Sequence, residues 1–143
     1  MIEYDGQTVS SMSSLGEWNP VEEFKTYISL LFSPDDIIGY VTSDVYQDPT
    51  SGKWKPKAGV YHRTCAELLE SLEQYPDDLG ATIGDWNPEA GAWIHINPLD
   101  GNGVKKENVT KYKYALVEAD NLSIEEQYER LCKMGIPIKR LFI

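Results

Sequence analysis

Glu118 and Asp120 stand two residues apart at the end of the run Lys113-Tyr114-Ala115-Leu116-Val117-Glu118-Ala119-Asp120. A β-strand alternates its side chains between faces, so a strand here puts Tyr114, Leu116, Glu118 and Asp120 on one face and Ala115, Val117 and Ala119 on the other. The two carboxylates are then roughly 7 Å apart along the strand, within reach of one divalent cation. Oxygen ligands suit magnesium or manganese, and those ions suit substrate phosphates. The plainer reading ends a strand at Glu118 and lets Asp120-Asn121 open a turn before the next helix.

Other groupings have less to offer. Trp54 lies among Lys53, Lys55 and Lys57, a composition that suits base stacking beside phosphate-seeking charge, and equally a solvated hairpin tip. His62 and Arg63 precede a helix start, where exposed amides attract anions; a surface pair is the commoner case. Trp93, His95 and Asn97 share a strand face, with the polar members expected to point outward. The loop Asn97-Pro98-Leu99-Asp100-Gly101-Asn102-Gly103 lacks the Gly-Lys-Ser/Thr ending of a phosphate-binding P-loop. Cys65 and Cys132 have no Cys or His at ligand spacing, so two reduced, helix-buried thiols are expected rather than a disulfide or zinc site.

The elements that must position these residues follow from caps and periodicity. Residues 1–17 form a polar, serine-bearing lead-in expected to be flexible. Asn19-Pro20 caps a helix of about three turns, with Val21, Phe24, Ile28, Leu31 and Phe32 on one face. Ile37 to Tyr46, then Asp48-Pro49-Thr50-Ser51-Gly52, then Lys53-Trp54-Lys55 reads as a hairpin. Thr64-Cys65-Ala66-Glu67 is a capping box for a helix burying Leu68, Leu69 and Leu72. Ala81 to Trp86, a turn at Asn87 to Gly91, and Ala92 to Asn97 read as a second hairpin. Ser123-Ile124-Glu125-Glu126 caps a third helix, with Ile124, Tyr128, Leu131 and Cys132 inward and Gly135 as its stop. The segment Ile138 to Ile143 is an apolar strand.

Together these predict an α+β domain over residues 18–143: a mixed sheet of about five to six short strands with three helices, as residue patterns alone imply. Strand, helix and strand from 113 to 143 would close a right-handed βαβ unit with parallel strands.

Composition narrows the classes. With 143 residues and 41% hydrophobic content the chain suits one soluble domain with a core of its own. It has no membrane-length apolar run and no signal-peptide pattern, so a cytoplasmic location is expected. Residues 1–104 hold 17 acidic and 5 basic side chains, a net of −12, while 105–143 hold 6 and 8, a net of +2. Such a surface repels nucleic-acid phosphates, so direct nucleic-acid binding should be weak. It is a solubilising surface, or it fits a protein partner with a basic, nucleic-acid-binding face. The candidate contact residues are Asp35, Asp36, Asp77, Asp78, Asp85 and Glu89.

The ordered run Arg63-Thr64-x-x-Glu67-Leu68, Asp77-Asp78-Leu79-Gly80, Trp93-Ile94-x-Ile96-Asn97-Pro98-Leu99-Asp100-Gly101, Ala115-Leu116-Val117-Glu118-Ala119-Asp120 and Glu125-Glu126-Gln127 resembles the N-terminal primase-like module of phage and mobile-element replication proteins. These are similar to the archaeo-eukaryotic primase superfamily. The resemblance implies a strand-borne acidic pair for divalent metals in nucleotidyl transfer, with Glu118 and Asp120 at the matching positions and Glu in place of the commoner first Asp. It also implies a later His/Ser-rich phosphate-binding segment and a further metal-binding acid, which these residues do not contain. One acidic pair without that complement would bind Mg2+ or Mn2+ weakly and do little chemistry.

Two functions are therefore expected. One is a catalytically incomplete primase-like protein in a bacterial host cell, needing no cofactor and acting as an acidic DNA mimic that inhibits a nucleic-acid enzyme, in the manner of an anti-CRISPR protein; the acidic front part and the stop after Ile143 favour it. The other is the front of a primase-polymerase that transfers nucleotides only within a longer protein.

Overall fold

The computed structural model describes residues 19–117 and 119–135. They fall into two compact units, one spanning 18–115 and the other containing 116–135. The chain is α+β. Residues 1–18, which include the lead-in over 1–17, Glu118, and residues 136–143, which include the apolar segment Ile138 to Ile143, lie outside the described residues.

In the larger unit, α1 runs Pro20–Leu31. The Asn19 side chain accepts from Val21 N–H at 2.9 Å and Glu22 N–H at 3.2 Å, Pro20 supplies a pre-set φ, and Glu22 and Glu23 lie at the positive end of the helix dipole. Its buried residues Val21, Phe24, Ile28 and Leu31 follow helical spacing. Ser33-Pro34 stops it, since proline disfavours a helical residue before it. Next, β1 (Ile37–Val41) is the middle strand of a three-stranded antiparallel sheet, with β4 (Val60–Thr64) on one side and β5 (Trp93–Ile94) on the other. From Ile38 to Val41 every residue of β1 is buried. The short strands β2 (Val45–Gln47) and β3 (Trp54–Pro56) make a hairpin about the expected turn, while Ile37–Val41 of the expected first arm belongs to the other sheet.

Thr64 caps α2 (Cys65–Gln74) with the full capping box, which buries Cys65, Leu68 and Leu72. These side chains, the α1 stripe, Ile38, Tyr40 and Ile83 form the core, against which Trp86, Ile94 and Tyr114 also pack. Burying such side chains contributes about 1.5–3 kcal/mol each.

Three expectations are corrected. The run Ala81 to Trp86 is not a hairpin strand: Leu79–Ile83 is helix α3. Asp78 Oδ1 accepts from Ala81 N–H at 3.0 Å, and Gly84, at φ +89°, ends the turn. A side-chain cap and a glycine stop outweigh the β preference of Thr82 and Ile83. The turn at Asn87 to Gly91 does form, but β5 after it pairs with β1.

The second correction concerns Lys113 to Val117, which form no strand among the described residues. Lys113 N–H and Tyr114 N–H both donate to one oxygen, Asn97 Oδ1, at 2.7 and 3.0 Å. Successive strand amides point to opposite sides, so this geometry is not β. Leu116 and Val117 are 61% and 60% exposed rather than buried. Both described sheets are antiparallel, so the expected mixed sheet is not what the described strands form.

The third concerns the smaller unit, where α4 (Ile124–Lys133) begins at the predicted Ser123 capping box and Gly135, at φ +67°, follows its end. None of its residues is buried, and Cys132 is exposed. Its unit contributes no strand among the described residues to cover that helix face.

Candidate functional site

Asn97 organises the approach to the acidic segment. It is only 6% exposed, where the sequence suggested an outward-facing polar residue. Residues 95–99 run beside β1: His95 N–H donates to Gly39 O at 2.8 Å and Leu99 N–H to Ile37 O at 3.0 Å. That course carries Asn97 inward, and its amide meets the returning chain. Besides the two N–H groups it accepts, its Nδ2 donates to Tyr114 O at 2.9 Å. A buried carboxamide thus replaces the missing strand partner, leaving neither backbone N–H unsatisfied.

The rest of the loop is tied off in the same way. Asp100 N–H donates to Asn108 O at 2.8 Å and Thr110 N–H to Pro98 O at 3.0 Å. Asp100 Oδ1 accepts from Asn102 N–H at 2.8 Å, which holds that carboxyl below its usual range. The Asn-Pro-Leu-Asp-Gly run is therefore a scaffold for the return of the chain.

At Lys113 a second anchor appears, since its Nζ lies 2.6 Å from Asp36 Oδ2. Both side chains are about four-fifths buried, at 19% and 21% exposure. Burial pushes the Asp36 carboxyl up. The Lys113 hydrogen bond, the Ser33 N–H and the charges of Lys113 and Lys111 outweigh that and hold it below the ordinary value.

In the smaller unit Gln127 plays the role that Asn97 plays in the larger. Its Oε1 accepts from Ala119 N–H at 3.1 Å, and its Nε2 donates to Ala119 O at 3.1 Å and Leu122 O at 3.0 Å. Leu122 N–H also donates to Ala119 O at 3.1 Å, closing a turn over Asp120-Asn121. Asp120 is exposed on that turn and has no hydrogen-bond or ion-pair partner among the described residues. As a hard oxygen donor it fits a divalent cation. Glu118, its proposed co-ligand, lies outside the described residues. Among the described residues no three His, Cys, Asp or Glu side chains converge on a metal position.

The candidate docking carboxylates divide into two kinds. Asp36 is committed to Lys113, and Asp78 to the start of α3. Asp35, Asp77, Asp85 and Glu89 are exposed and have no basic partner among the described residues. Asp85 and Asp78 approach each other across Gly80, where an added Cβ would stand 2.7 Å from Asp85 Oδ1 and 3.3 Å from Asp78 Oδ1.

The remaining candidates are structural. Arg63 Nη1 donates to Thr82 O at 2.5 Å, tying β4 to α3, and the amide of Thr64 is taken by Glu67. A carboxylate already occupies the helix start where an anion was considered. In the hairpin, Lys55 pairs with Asp48. Cys65 Sγ donates to Ile28 O at 3.6 Å, and burial, with the Asp36 charge, pushes its thiol up, so it is inert at neutral pH.

No described helix is long and apolar enough to cross a membrane. Comparison with protein-family models, curated proteins and solved structures yields no match for this chain.

Proposed function

We propose that this chain is a primase-like module of a phage or mobile element, in which Asp120, on the turn from Ala119 to Leu122, and its sequence neighbour Glu118 take up a divalent metal ion. The observation that carries this reading is the fastening of the turn at Asp120, within the smaller unit, by Gln127. Gln127 grips both backbone groups of Ala119, the residue between the two acids in sequence. A backbone fixed in this way on either side of Asp120 loses little freedom when a ligand binds there.

A magnesium or manganese ion held there would neutralise charge on nucleotide phosphates. This chain's own contribution is to supply the two carboxylates and to fix the backbone between them. The cationic half of nucleotidyl transfer, which the resemblance places in a later His/Ser-rich segment, is not supplied by these residues. The 143-residue chain alone is expected to add no nucleotide to a primer with Mg2+ or Mn2+. A protein that joins it to such a segment is expected to do so and to lose the activity in Asp120→Ala. Transfer that survives Asp120→Ala would remove the acidic pair from the reaction.

The exposed carboxylates Asp35, Asp77, Asp85 and Glu89 favour a second reading, in which the acidic face docks on a basic, nucleic-acid-binding protein as DNA would. Salt-sensitive capture of such an enzyme, weakened by neutralising those four residues, would support it. Capture indifferent to those substitutions would count against it.

A further inference from the structure

The fold brings two basic segments, far apart in the sequence, to one open cleft of about 440 Å³ in the larger unit. Lys57 lies on one wall, just after β3; Lys105 lies on the other, in the loop after Gly103. Lys57 is one of only five Lys or Arg in the first 104 residues, and Lys105 opens the more basic part that follows. Neither ammonium is firmly held: Lys57 Nζ stands 4.0 Å from Asp44 Oδ1 with both groups well exposed, and Lys105 Nζ has no partner among the described residues.

A second observation concerns the backbone of the same cleft. Gly103 and Val104 are half-buried, and their N–H groups make no hydrogen bond to any described residue. In an open cleft such amides are met by water or by a ligand acceptor. The tight turn that leaves them so is built in: an added Cβ on Gly103 would stand 2.6 Å from Asn108 Oδ1, and one on Gly59 would stand 3.0 Å from Tyr40 O and Val104 Cγ1.

Two lightly held lysines and two amides without a described partner, lining one cleft, suit an anion with several acceptor oxygens. The one acidic lining residue, Glu107, leaves the wall with net positive charge. The volume exceeds what a simple inorganic ion needs and falls within the ordinary range for small-molecule sites. Tyr61 adds an aromatic surface to the lining.

We propose that this cleft binds a phosphate-bearing ligand of mononucleotide size, with Lys57 and Lys105 on the phosphate and Tyr61 against the apolar part. The site does not depend on the metal pair, because all its residues lie in the larger unit.

The test is an amide-resolved NMR titration of the full chain at low salt with AMP, inorganic phosphate and adenosine in separate arms. AMP is expected to shift the amides of Gly59, Gly103 and Val104, phosphate to shift the same amides more weakly, and adenosine to leave them in place. Lys57→Ala and Lys105→Ala, both at exposed positions, should each weaken AMP binding by roughly tenfold. Lys53→Ala, off the cleft, should leave it unchanged. Absence of AMP shifts at these amides, equal affinity for AMP and phosphate, or equal loss in Lys53→Ala would overturn the assignment.

Discussion

Asn97 holds Tyr114 by both sides of its backbone, accepting from its N–H at 3.0 Å and donating to its C=O at 2.9 Å. With the Lys113 N–H, one buried carboxamide satisfies three main-chain groups. Asn97→Ala leaves them without that partner in a part-buried site, and we expect a loss of about 1–3 kcal/mol. Urea unfolding measures it. Hydrogen exchange at the amides of Lys113 and Tyr114 should accelerate ahead of the α1 core; unchanged exchange there would mean the grip is weak in solution.

The Asp36 and Lys113 pair makes stability pH-dependent. The Asp36 carboxyl is held below its usual value in the native state. Its contribution is therefore complete above the unfolded value of about 3.9 and is lost as pH falls through the native value beneath it. Asp36→Asn should cost about 1–2 kcal/mol at neutral pH, between exposed and buried pairs. That gap from the parent protein should close below about pH 4, as read from urea midpoints at a series of pH values.

Gln127→Leu removes all three bonds that fix Ala119 and Leu122. The Ala119 amide should lose exchange protection while the α1 to α2 core keeps it. Gln127→Glu retains the acceptor and loses the donor, so its effect should be intermediate. A Leu variant as protected as the parent would show that the turn holds itself.

The two thiols should separate cleanly by reactivity. Cys132 is exposed and Cys65 is 2% exposed with its thiol pushed up by burial. A thiol reagent at neutral pH should label Cys132 alone until the protein is unfolded. Labelling of both at equal rates in the native state would contradict the packing of α2 on α1.

How far the sequence reveals this fold depends on where the deciding interactions lie. The caps of α1, α2 and α4 are local, so Asn19-Pro20, Thr64 with Glu67 and Ser123 with Glu126 announce them directly. The hairpin of β2 and β3 is local too. Leu79–Ile83 misleads because Thr82 and Ile83 favour strands, while the deciding group is one Asp78 oxygen. Lys113 to Val117 misleads because its alternation suits a strand, yet the partner it finds is a side chain from 16 residues earlier. Nothing in the local pattern marks Asn97 as buried. Of the candidate site, the acidic spacing is legible; the fastening by Asn97 and Gln127 is visible only in three dimensions.

The proposed metal site pairs Asp120, on the turn that Gln127 fixes, with Glu118. Paramagnetic broadening of amide resonances by low concentrations of Mn2+ reads this directly. The predicted result is broadening centred on Ala119 to Leu122, competed by Mg2+ and lost in Asp120→Asn and in Glu118→Gln. Broadening centred instead on the carboxylates around Gly80, or unchanged by both substitutions, would contradict it.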